Sequence, residues 1–329
     1  MATVGIDLEF LKQISDVVSV GTACGPGINL LKSRFGDGYD STLVSDGFCL
    51  FQKKGGGPGR LKAVFVAHID EIGGVVYGPE ATGGFNTRVW GNHPSIFANA
   101  ELQAFDYLAQ DGSGCIPVTG HVQGDGADAR LILDGDGIKP YRTVYTFKTE
   151  ASFGPDGDTI TGKALDPRMT TFSVIEAVRR LDTDEVGAMI VMAEECAMDV
   201  ARKGVHFLQK NSPDLQLIVN ADVPWINNIG EGRLDLPAIR IFEGRNFIDP
   251  SFGIRTVDHL LERGVKLHLS AAKSGSQTLL FTPLASTISV ALPSDGIHEP
   301  SYTMSLTGVE RCVDLLQALG EEQLAGRLH

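Results

Sequence analysis

The chain has no uncharged apolar run long enough to span a membrane; the longest, such as Ala63–Ala67 and Val186–Ala193, are strand-sized. Basic residues are scarce. Lys and Arg number 28 against 41 Asp and Glu, for a formal net charge of −13. Such a surface repels polyanions, so neither nucleic acid nor a membrane is an expected partner. Paired cysteines are also missing: Cys24, Cys49, Cys115, Cys196 and Cys312 are scattered, odd in number and without a C-x-x-C spacing. Neither a disulfide framework nor a zinc finger is indicated, and each thiol is expected to be a small core residue. Asp7 and Glu9 stand where a secretory leader would carry basic residues, and the expected location is cytoplasmic.

What remains is a 329-residue chain with 43% apolar and 21% charged residues and 39 glycines. That is globular material for about two domains. Helical spacing marks Leu8–Val17 and Ile28–Phe35, and strand-like stretches follow at Ser41–Lys53 and Lys62–Ala67. Lys62–His68 is apolar on both alternating faces, as in a strand covered by helices on each side. Between residues 74 and 160 glycine, asparagine and aspartate become dense around short segments such as Gly120–Gln123 and Thr143–Phe147. This texture predicts a small all-β module.

Helix–strand alternation resumes after Gly162. A stripe of Met169, Phe172, Ile175, Val178 and Leu181 predicts a helix. Strands are expected at Val186–Ala193, Leu215–Val219, Ala238–Glu243, Lys266–Ser270, Thr278–Phe281 and Thr287–Ala291. A last helix opens on the capping-box pattern Thr307–Glu310 and ends before Gly320. The expected architecture is an α/β catalytic domain, residues 1–73 and 161–329, interrupted by the β module of residues 74–160. Trp90 and Trp225 are expected in the core, and Ser274–Gln277 in a loop.

Functional groups in open α/β sheets gather beyond the carboxyl ends of the strands. His68 and Asp70 follow the first buried strand, Glu194 and Glu195 the next, Asp222 the third and His298 the last, while Asp166 opens a helix. Each alone has an ordinary explanation as a cap or surface group. Together, two histidines and three carboxylates suit a pair of divalent ions sharing one carboxylate. Asp70, two residues beyond His68 on an extended chain, can orient the imidazole. Of the adjacent glutamates, one can bind metal while the other serves as general base.

At these residues the sequence resembles the dinuclear metallo-aminopeptidases of the tetrahedral and glutamyl aminopeptidase family. The likeness rests on Ala67-His-Ile-Asp-Glu-Ile-Gly73, Gly162-Lys-Ala-Leu-Asp-Pro-Arg168, Glu194-Glu195, Asn220-Ala-Asp222 and Ile297-His298-Glu-Pro300. The resemblance implies that Asp166 bridges two metals, one also held by His68 and Asp222, the other by Glu195 and His298. Glu194 would be the base and proton shuttle, with Asp70 behind His68. It further implies a mixed-sheet, three-layer phosphorylase/hydrolase-like core, a cis bond after Asp166, and homo-oligomers from dimers to dodecamers built through the β insertion. Three positions depart from the family pattern: Pro167 replaces an aspartate, Cys196 a small turn residue, and Glu299 a serine.

The expected activity is removal of N-terminal residues from short peptides, by a water shared by the two metals and deprotonated by Glu194. Zinc, cobalt and manganese all accept these ligands. The same ligands would serve a deacylase or amidase for N-acyl amino acids. A silent scaffold protein with the same fold would be expected to have lost some of them, and all are present.

Overall fold

The computed structural model describes residues 5–81, 83–98, 100–109, 113–229 and 233–328. Nine strands form the main sheet. In spatial order they are Tyr39–Val44, Phe48–Lys53, Val186–Val191, Ala63–His68, Leu217–Asp222, Ser286–Ala291 and Ala238–Glu243; the last also pairs with Asn246–Phe247 and His268–Ala272. The four central strands, Val186–Val191 to Ser286–Ala291, run parallel, and antiparallel pairings flank them, giving a mixed sheet.

Alternation along the central strands feeds two separate apolar layers. Phe65 and Ala67 face a core shared with Leu165–Leu181, Leu306–Leu324 and Leu8–Asp16. Val64 and Val66 face a smaller core beneath Arg202–Asn211. The result is the expected three-layer arrangement of helices, sheet and helices. Among the described residues no helix is long and apolar enough to cross a membrane.

The glycine-rich region forms a closed antiparallel barrel. Its six strands run, in spatial order, Gly73–Pro79, Phe85–Trp90, Arg130–Asp134, Ile116–Gln123, Leu102–Asp106 and Thr143–Phe147. Phe97 and Phe147 stack in its interior with ring centroids 4.6 Å apart. The chain then re-enters the core through a three-stranded sheet of Ser152–Phe153, Thr159–Gly162 and Tyr302–Ser305. This small sheet pairs Gly162 with Tyr302. It thereby brings the start of the Asp166 loop beside the chain that has just left His298.

Several elements depart from the pattern read in the sequence. Ser41–Lys53 is a hairpin, Tyr39–Val44 and Phe48–Lys53, broken where Asp46 takes a positive φ. Thr278–Phe281 is no strand but part of a 3₁₀ turn, Gln277–Leu280. Its N-cap Ser276 accepts from the Thr278 amide and donates to buried Glu243. The last helix is capped by Ser305, whose hydroxyl accepts from Gly308 N, while Thr307 donates to Asp158. It also runs through Gly320. A Cβ at Gly320 would lie 2.5 Å from Leu181 Cδ1, so this glycine allows close helix packing rather than ending the helix. Cys115 is exposed rather than buried.

Candidate metal centre

Parallel register aligns the strand ends. His68 pairs with Val191, three residues short of Glu194, and Asp222 ends its strand opposite Ala291. Beyond those ends three of the functional loops take a costly backbone. Ala193, Ala164 and His298 all sit at positive φ (64°, 53° and 57°) without being glycine. The Asp166–Pro167 peptide is cis.

Asp166 is the hub. Its Oδ1 lies 3.5 Å from His68 Nε2 and its Oδ2 lies 3.5 Å from His298 Nε2. On the first side Asp222 Oδ1 stands 3.6 Å from His68 Nε2; on the second, Glu195 Oε2 stands 3.1 Å from His298 Nε2. Ligand atoms of His68, Asp166 and Glu195 all fall within 4.8 Å of one another. Asp70 and Glu194 close the group. Asp70, fully buried, sets its Oδ1 3.4 Å from His68 Nδ1 and accepts the backbone N–H groups of Glu194 (2.9 Å) and Glu195 (3.2 Å). It therefore holds the Glu-Glu turn in place as well as facing the histidine.

These separations are informative. Donor atoms about 2.0–2.1 Å from a tetrahedral ion stand about 3.3–3.4 Å apart. The observed 3.1–3.6 Å brackets that spacing, and the three separations of 3.5–3.6 Å are long for hydrogen bonds. Asp166 Oδ1 and Glu195 Oε1 are buried with no hydrogen-bond partner, a costly state for carboxylate oxygens unless a cation satisfies them. The donor set therefore fits a divalent-cation site.

The electrostatics agree. Burial lowers the His298 pKa, but Glu195 and Asp166 outweigh it and carry the imidazole up to about 11. His68 behaves likewise: burial opposes, while Glu194, Asp166, Asp222 and Asp70 raise its pKa well above the ordinary range. Glu194 is pushed far up by burial, with Asp222 and Glu195 adding to it against His68. Burial also raises Glu195. Asp222, whose burial is outweighed by His68 and the Arg240 guanidinium, is held down to about 2. The two histidines, Glu194 and Glu195 thus hold protons more tightly than usual, while Asp222 holds its own less tightly.

Some positions escaped the sequence reading. Arg240 is fully buried, with Nη2 3.7 Å from Asp222 Oδ2 and 2.8 Å from Glu243. Tyr302 accepts the Asp166 backbone N–H at 2.5 Å. Glu71, at the entry to the barrel, accepts from Lys163 Nζ (2.8 and 2.7 Å), Arg168 Nη2 (3.3 Å) and Thr146 Oγ1 (2.9 Å). Lys163 and Arg168 bracket Asp166 in the sequence, a signal that two cations were to be neutralised beside it. Trp225, expected in the core, is 40% exposed three residues beyond Asp222, its indole donating to the Asp295 carbonyl.

No protein-family model matches the sequence, and no curated protein matches it. Solved structures share its fold. A TET aminopeptidase from a marine sediment archaeon of the Thaumarchaeota superposes with a TM-score of 0.80 at 15% identity, over 97% of this chain and 99% of that one. The Pyrococcus horikoshii TET1 peptidase, which assembles into a tetrahedron or an octahedral shell, gives 0.78 at 19% identity over 95% and 98%. A Thermotoga maritima protein described as an endoglucanase gives 0.70 at 16% identity over 97% and 99%.

Proposed function

We propose that the chain is a dinuclear metallo-aminopeptidase acting on short peptides. The observation that carries this reading is Asp166, whose two oxygens each face a different histidine at non-hydrogen-bonding distance, one of them without any partner. The shared fold with TET aminopeptidases supports it, although the endoglucanase neighbour shows why fold alone does not assign a substrate.

In this reading His68, Asp166 and Asp222 hold one divalent ion and Asp166, Glu195 and His298 the other, zinc being the first candidate and cobalt or manganese alternatives. When bound, the pair supplies Lewis acidity that polarises a carbonyl and makes water acidic near neutral pH. Glu194, whose buried carboxyl holds a proton unusually well, takes the proton of the attacking water and passes it to the departing amine. Asp70 keeps that carboxylate and its neighbour fixed through their backbone N–H groups. The surplus of carboxylates favours a substrate end that is a free ammonium.

We assign catalysis to residues 1–73 and 161–329, and subunit contacts in a cytoplasmic homo-oligomer to residues 74–160, where Tyr141 is 77% exposed. Metal analysis with a chelator-sensitive scan of aminoacyl anilides, run beside their N-acetylated equivalents, tests the function. Free-amine substrates should be cleaved and blocked ones spared; cleavage of blocked substrates alone would make the protein a deacylase. Glu194→Gln should keep both metals and lose at least about a hundredfold in kcat. A variant with near-native turnover would remove Glu194 from the mechanism.

A further inference from the structure

Two consecutive residues at the end of a barrel strand, Gly91 and Asn92, adjoin the candidate metal centre, and Trp90 before them lies beside Gly21. A Cβ on Gly21, whose carbonyl accepts the Ala193 N–H at 3.1 Å, would sit 3.4 Å from both the Trp90 ring and Cys196 Sγ. A Cβ on Gly91, at φ +82°, would lie 2.1 Å from Ile72 Cγ2 and 3.3 Å from Glu195 Oε2. Ile72 and the positive φ thus require glycine at 91, and that glycine brings the barrel chain close to Glu195. Asn92 Nδ2 donates to the His298 carbonyl at 2.9 Å, across 206 residues of sequence.

The Asn92 amide is oriented for that bond. Its Oδ1 accepts the His93 backbone N–H at 2.6 Å, which leaves the NH2 end to face His298. His93 is itself anchored, Nδ1 to Ser95 Oγ at 2.9 Å and Nε2 to the Gly126 carbonyl at 3.2 Å. At the other end, His298 occupies a left-handed backbone at φ +57°, a conformation that a non-glycine residue keeps only when its surroundings hold it. In that conformation His298 Nε2 faces both Asp166 and Glu195. A loop relaxed to ordinary φ would turn the imidazole away.

We infer that Asn92 is a positioning residue for the second metal: the inserted barrel completes the Glu195–His298 half of the centre by clamping the His298 backbone. This rests on the dinuclear reading, and the barrel on this view contributes to the site as well as to subunit contacts. Groups that orient a ligand without touching the metal commonly change affinity by 10–100-fold. One exposed hydrogen bond places the effect near the lower end.

Asn92→Ala and the near-isosteric Asn92→Asp, which cannot donate to a carbonyl, test it. The full chain, stripped by chelator, is titrated with cobalt(II) and followed by visible absorption and calorimetry. Hydrogen exchange across residues 296–300 is followed in the metal-free proteins. One of two binding steps should weaken by about tenfold in both variants while the other stays within about twofold, and exchange at 296–300 should quicken by about tenfold. Unchanged binding and exchange would overturn the inference. So would equal weakening of both steps, since that marks a general loss of structure. If the unmodified protein bound no cobalt, the dinuclear reading would fall, while the exchange rates would still decide whether Asn92 clamps His298.

Discussion

Replacing Glu71 by glutamine keeps the shape of a buried side chain and removes the one charge that Lys163 and Arg168 share. All three groups are at most 3% exposed, and the carboxylate receives Lys163 at 2.7 Å and Arg168 at 3.3 Å. Stripping one partner from such a cluster typically costs about 3–5 kcal/mol, because uncompensated charge stays buried. Lysine sets a ceiling on its own share, since it can fold without its proton. From the ordinary value of 10.5, neutralising it costs at most about 4.8 kcal/mol at pH 7 and about 2 kcal/mol at pH 9. Arg168 stays charged and keeps the Ile14 carbonyl at 3.2 Å.

The sign of the pH dependence follows. Burial already lowers the Lys163 pKa, and Glu71 opposes that fall; in Glu71→Gln the opposition is gone. An amine with a depressed folded-state pKa penalises folding while the unfolded amine holds a proton, and the penalty fades as pH rises toward the ordinary lysine value. Urea unfolding of metal-free protein should therefore show a loss of about 3–4 kcal/mol at pH 7, shrinking by roughly 1.4 kcal/mol per pH unit toward pH 9. A loss under about 1 kcal/mol at pH 7, or equal losses at the two pH values, would refute the account of this cluster.

Two further outcomes follow from the centre itself. Asp166→Asn should bind fewer than two metals per chain by elemental analysis, because an amide cannot offer two anionic oxygens; full occupancy of both positions would contradict the bridging role. Metal uptake near pH 7.5 should release protons, because His298 is held protonated up to about 11 by its carboxylates in the absence of cations and must be neutral to ligate. Affinity should accordingly rise with pH, and calorimetric heats should vary with the ionisation enthalpy of the buffer; heats independent of buffer would count against it.

How much of this was legible in the sequence depends on the range of the interaction. His68, Glu194 and Asp222 stand at or just past strands whose apolar alternation is unmistakable, so their common edge follows from the strands alone. The barrel announced itself through dense turn residues, since tight β connections need them. Thr278–Phe281 misled because its β-like composition serves a 3₁₀ turn. There Ser276, Thr278 and Ser289 converge on Glu243, buried beside Arg240, and partners so distant leave no periodic trace. The real start of the last helix was hidden for a similar reason: Thr307, the apparent cap, is drawn to Asp158, 149 residues away.

The same division runs through the metal centre and explains its construction. Three of the loops that carry candidate ligands, those at Asp166, Glu195 and His298, hold a non-glycine residue in the left-handed region, at a cost on the order of 1 kcal/mol each. Each also has a tie near that residue. Gly21 accepts the Ala193 N–H; Arg168, fastened to Glu71, donates its backbone N–H to Ala164; Asn92 holds His298. Two of those ties, Gly21 and Asn92, come from segments remote in sequence, and Arg168 is fixed through the remote Glu71. Ligand identity is thus a local property, readable wherever a histidine or carboxylate ends a strand. Ligand placement comes from the tie points. A sequence that kept all five ligands but lost Gly21, Glu71 or Asn92 would look like the same centre and, on this reasoning, bind metal less well.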